Sequence, residues 1–143
     1  MRDIIFRAKT VDGSEWKYGD LITVKRENLC GIKENSVLGI KHLCKSGTIG
    51  EYTGLSDKNG TKIFEGDVIK GVAYSSEWVG TVVWINEIAS FGVMYSHRTD
   101  PTTIENSSLF KALKIGMNNE YCAEVIGNIY DNPELLAEGA ADA

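Results

Sequence analysis

The chain has little of what most catalytic and metal-binding proteins use. Its 143 residues include two prolines, two histidines and three cysteines. Cys30, Cys44 and Cys122 are odd in number, widely spaced and without a CxxC pair, which agrees with a cytoplasmic protein and leaves buried or idle thiols as the expectation. With only His42 and His97, a nucleophile has few bases to draw on, and no GxSxG, Walker loop or GxGxxG preceding a helix is present. No apolar run approaches the roughly 18 to 20 residues of a membrane span. The opening MRDIIFRAKT is broken by Arg2, Asp3, Arg7 and Lys9, unlike a secretion signal. A soluble, cytoplasmic protein that contacts no membrane is expected.

Positive charge is scarce in the second half. Residues 1–70 hold 12 Lys/Arg against 10 Asp/Glu, a net of +2, whereas residues 71–143 hold 3 against 10, a net of −7. Displacing counterions from phosphates needs clustered cations, so a nucleic-acid surface would have to lie in the first half.

Glycines, aromatics and β-branched residues are plentiful, and short alternating segments between turns predict strands. IIFRAK (4–9) alternates, DG (12–13) is a turn, and EWKYGDLITVK (15–25) supplies a second strand, making an N-terminal hairpin. RENLCGIKENS (26–36) is polar and glycine-punctuated and reads as a loop, followed by short strands and turns through residue 55. In YTGLSDKNGTKIFEGDVIK (52–70), Asp57 and Asn59 bond their own backbone, and Gly60 is expected to be left-handed. Gly66-Asp67 then opens the next strand, with glycine permitting a bend and the aspartate capping it. VGTVVWIN (79–86), SFGVMY (90–95) and CAEVIGNIY (122–130) are further strands, with 96–110 a polar surface loop. DNPELLAEG (131–139) predicts a short helix with Asn132 as N-cap and Gly139 as its stop.

The expected fold is all-β: an SH3-like barrel core with an N-terminal β-hairpin lobe and a short C-terminal helix. A five-strand sandwich would show much the same rhythm. The lobe and loop would occupy 1–50, the barrel with its last strand and helix 51–136, and a frayed tail 137–143.

Three segments, MRDIIFRAK, YTGLSDKNGTKIFEGDVI and EVIGNIYDNPELL, in this order resemble the YopX family of bacteriophage and prophage proteins. The resemblance spans residues 1 to 136 and implies a small β-rich fold, a setting in a bacterial host cell, and self-association. It carries no catalytic residues with it.

Candidate chemistry is sparse. Asp57, Glu65 and Asp67 could hold a divalent cation, but each has an ordinary role in a turn, strand edge or bend. Cys30, His42 and Cys44, with His97 or Cys122, could supply zinc donors, yet their spacing is irregular. His97 lies beside Ser96 and Asp100, and neighbours in sequence do not make a triad. No catalytic, cofactor or metal site is therefore assigned. Trp78, in the polar segment SSEWVG, reads either as an exposed protein-interface anchor or as a plug at one end of the barrel. Lys41, Lys45, Lys62 and Lys70, with Tyr52 or Phe64 for stacking, are the candidates for nucleic-acid contact. The reading is a non-enzymatic, self-associating interaction module with a host or phage protein as partner. A nucleic-acid-associated barrel is the alternative, and a small enzyme comes third.

Overall fold

In the computed structural model, the residues described are 2–73, 76–96, 108–114 and 122–136. They form ten strands: β1 (Phe6–Lys9), β2 (Trp16–Ile22), β3 (Leu29–Lys33), β4 (Lys41–Lys45), β5 (Gly50–Ser56), β6 (Lys62–Phe64), β7 (Asp67–Ala73), β8 (Ser76–Ile85), β9 (Ser90–Tyr95) and β10 (Glu124–Asn128). The α-helix among the described residues is α1 (Leu109–Lys114), and the rest are one-turn 3-10 segments. The protein is all-β, in two antiparallel sheets ordered β4-β3-β2-β1-β5-β6 and β10-β7-β8-β9. Two compact units divide the chain, Met1–Gly54 and Leu55–Ala143. The division anticipated between residues 50 and 51 falls inside β5.

In the first unit the register sets Ala8 opposite Lys17 and Cys30 opposite Cys44. A bridge from Thr10 to Cys44 brings the end of β1 to β4, so the sheet curls on itself. Its inner face carries a small buried cluster of Ala8, Cys30, Ile32 and Cys44, with Phe6 and Ile49 packed against it. Residues 26–36, expected as a loop, contain β3 instead. Local polarity misled there, because β3 takes its stability from pairing on both sides rather than from its own composition.

In the second unit, β7 to β9 form a meander and β10 returns beside β7. Beyond β9 a Gly92–Ser108 bridge continues the sheet, and α1 follows it. The helix, also unexpected, lays Leu109, Ala112 and Leu113 on a core that includes Ile69, Trp78, Val82, Phe91, Val93 and Tyr95. The core is far larger than that of the first unit, and three of its members are aromatic.

The turns follow the side-chain chemistry. Gly60 has φ +82°. Asp57, 3% exposed, takes the Asn59 and Thr61 N–H groups on one oxygen, each at 2.9 Å, and the Val125 N–H on the other, also at 2.9 Å. Asp67, 2% exposed, accepts the Phe64 N–H at 2.8 Å, while Gly66 has φ +93°. Of the helix expected over 131–139, the described residues form a 3-10 turn over Pro133–Leu136. Asn132 precedes it, but its side chain points the other way, accepting the Asn128 N–H at 3.3 Å rather than capping the turn. The Leu135 N–H is met by the Asn132 main-chain carbonyl instead. Gly139 and the tail 137–143 lie outside the described residues.

Candidate interaction site

The β3–β4 hairpin shapes the most distinctive surface of the first unit. Its tip is held by main-chain bonds from the Glu34 N–H to the Ile40 carbonyl and from the Gly39 N–H to the Ser36 carbonyl, at 2.9 and 3.0 Å. Glu34 Oε1 and His42 Nε2, 2.9 Å apart, fasten it from the side. This frame turns Val37 and Leu38 outward, 106% and 82% exposed, with Ile40 and Leu43 nearly half exposed behind them. Single exposed aliphatics are ordinary on protein surfaces, but four within seven residues on one hairpin make an apolar patch in water.

Cations frame the patch. Lys33 and Lys41 are direct cross-strand partners, and Lys45 follows on the same face of β4 by strand alternation. Like charges set opposite one another weaken a sheet, so this arrangement favours an acidic neighbour more than it favours the hairpin itself. Beside the tip runs an open cleft of about 490 Å³, lined by Ile4, Trp16, Tyr18, Asp20, Glu34 and Asn35 among others. Glu34 and Asn35 belong to both cleft and tip, so the two form a continuous surface. The Arg7 guanidinium lies 4.5 Å from the centre of the Trp16 ring, a cation–π contact that occupies one face of that indole.

The other nominated residues are dispersed. Trp78 is a core residue and not a surface anchor: it is 4% exposed and meets Tyr95 edge to face at 5.2 Å. It sits opposite Gly71, whose missing side chain leaves the space the indole fills. The exposed tryptophan that sequence reasoning passed over is Trp84, 47% accessible. Its Nε1 donates to Asn86 Oδ1 at 2.7 Å, and its ring meets Phe91 edge to face. Lys41 and Lys45 are exposed on the first unit, whereas Lys62 and Lys70 belong to the second, where Lys70 lies 3.4 Å from Glu77. Tyr52 and Phe64, offered for base stacking, are 8% and 4% exposed and serve as core. Neither aromatic therefore offers an open ring face on which a base could stack.

Two of the acids nominated for a metal are committed elsewhere: Asp57 gives both oxygens and Asp67 one to main-chain N–H groups. Cys30 and Cys44 do come together, but His42 is held by Glu34. Among the described residues no group of three or more His, Cys, Asp or Glu is placed to hold a metal ion. His97 and Asp100 lie outside the described residues. Among those described, no helix is long and apolar enough to cross a membrane.

A model of the YopX protein family matches residues 5–137. The chain belongs to the YopX family. Among solved structures it is similar to protein EF1440 from Enterococcus faecalis, with a TM-score of 0.54 and 20% sequence identity, covering 96% of this chain and 100% of that one. At that identity the likeness concerns the fold alone. Among curated proteins nothing matches.

Proposed function

We propose that this YopX protein is a non-enzymatic, phage- or prophage-encoded protein-interaction module that self-associates and engages a protein partner through the β3–β4 hairpin tip. The observation that carries the reading is the solvent exposure of Val37 and Leu38 on a hairpin framed by Lys33, Lys41 and Lys45. An apolar knob with a cationic rim suits an apolar pocket with an acidic rim. A second copy offers the complementary charge: residues 1–54 carry nine Lys/Arg against seven Asp/Glu, and residues 55–143 carry six against thirteen. Asp57 and Asp67, the acids best placed by sequence for chemistry, act as turn locks in this reading.

The test is multi-angle light scattering on the full chain and on Val37→Asp/Leu38→Asp. Both positions are exposed, so the variant should keep its β signal by circular dichroism. The expected outcome is a mass above one chain for the parent and a monomer for the variant. A parent that stays monomeric across the accessible concentration range overturns self-association.

Nucleic-acid contact is the weaker reading, favoured by the net positive first unit with its exposed Lys41 and Lys45. It requires a mobility shift that weakens steeply with added salt.

A further inference from the structure

We propose that Cys30 and Cys44 are a disulfide-forming pair, which a low-molecular-weight disulfide converts into a covalent link between β3 and β4. Register is the first support. The two are direct partners in an antiparallel ladder. Residues so placed have Cα atoms about 4.5 to 5.5 Å apart, within the roughly 4.4 to 6.8 Å that disulfides span. Confinement is the second. Both side chains face the interior of the curled sheet, 4% and 0% exposed, and make up half of its four-residue buried cluster. The Cys44 thiol has a distant sulfur contact to the His42 carbonyl, 3.7 Å away, and so little to hold it from its neighbour. The mutual influence of the thiols agrees with this: burial raises the pKa of both, and Cys30 raises that of Cys44 further, against a smaller opposing pull from Lys17.

The chemistry is thiol–disulfide exchange. One protein thiolate attacks the oxidant's S–S bond, forming a mixed disulfide and releasing one small thiol. The second protein thiolate then displaces the other small thiol and closes the Cys30–Cys44 bond. The protein gives up two protons and two electrons, and the oxidant becomes two thiols. Because burial suppresses the thiolates, the exchange is slow in the closed hairpin and proceeds during folding or when the hairpin opens. The ring that results carries Val37 and Leu38, so on the proposed reading of the tip it also stiffens the docking surface. That consequence rests on the reading; the bond does not.

The experiment refolds the urea-unfolded full chain in a buffer of oxidised and reduced glutathione, which removes burial as a barrier. Free thiols are then blocked with N-ethylmaleimide, and the chain is mapped by mass spectrometry without reduction. The expected product has the Cys30 and Cys44 peptides joined and Cys122 alkylated. Its melting midpoint rises by about 5 °C or more and falls back with reductant, as closure of a loop of this size implies. Cys122→Ser should give the same link with no third thiol present. Alkylated or glutathionylated Cys30 and Cys44 in the refolded chain, or a bond from either to Cys122, overturns the proposal. The mapping reads the bond whether or not the tip docks a partner.

Discussion

Asp12 and Asp57 build turns of the same chemistry in the two units, with different consequences. Asp12 Oδ1 gathers the Thr10 hydroxyl and both the N–H and hydroxyl of Ser14, all at the exposed surface. Asp57 gathers the Asn59 and Thr61 N–H groups in the same local way, but it is buried, and its second oxygen also takes the Val125 N–H of β10. One aspartate shapes a turn; the other ties a turn to a distant strand. The cores differ in the same direction. The buried apolar cluster of the first unit has four residues, two of them cysteines, and that unit exposes Val37 and Leu38, while the second packs aromatics around Trp78. Among the described residues, the second unit is thus built on burial, and the first turns more of its apolar side chains outward.

The largest expected effect tests where stability resides. Trp78→Ala should cost about 3 to 5 kcal/mol, the range for emptying a buried aromatic site, and the loss should appear in urea denaturation followed by circular dichroism. Trp78→Phe should cost distinctly less. The Trp78 Nε1 is buried without a hydrogen-bond partner among the described residues, so removing it relieves an unmet donor while most of the ring volume stays. Equal losses for the two variants would show that the indole N–H is satisfied and that the Gly71 niche demands its full shape.

The next effect compares the turns directly. Asp57→Ala strips the acceptor from three main-chain N–H groups, and with each unmet buried donor costing about 1 to 3 kcal/mol, a total of about 3 kcal/mol is expected. Hydrogen exchange should show the Val125 amide losing protection with the turn. Asp12→Ala should lower the global unfolding midpoint far less, since its partners can turn to water. A comparable loss at both sites would erase the distinction between the turns.

Much of this architecture was legible because local chemistry decided it. Asn59-Gly60 and Gly66-Asp67 announce bends through residues whose side chains or missing side chains act within a few positions, and the strand read over residues 90–95 is β9 as observed. What was hidden depends on distant partners. Trp78 follows the polar Ser76 and Glu77, and its burial is intelligible only with Gly71 opposite it across the ladder. Trp84 lies in the unbroken apolar run VVWI, where alternation cannot separate the faces, and it remains exposed while its same-face neighbour Val82 is buried. β3 was hidden in a polar stretch because its two ladder partners supply its order. The candidate surface lies just beyond that stretch: Val37 and Leu38 look like ordinary strand residues until the hairpin turns them outward.

The smallest effect is electrostatic and belongs to the exposed turn. The Thr10 hydroxyl first, then the Ser14 N–H and hydroxyl, stabilise the Asp12 carboxylate and lower its pKa from the ordinary 3.8 to about 2. A depressed folded-state value means that the contribution of this turn is fully present above pH 3.8 and is lost as pH falls through about 2. Carboxyl-carbon NMR should therefore place the Asp12 midpoint near 2 in the parent chain. Thr10→Val removes the leading donor and should raise the midpoint toward 3.8 while the second unit's signals stay unchanged. A Thr10→Val midpoint that stays near 2 would assign the turn to Ser14 alone. Shifts spreading into the second unit would show that the exposed turn, like the buried one, is wired to distant structure.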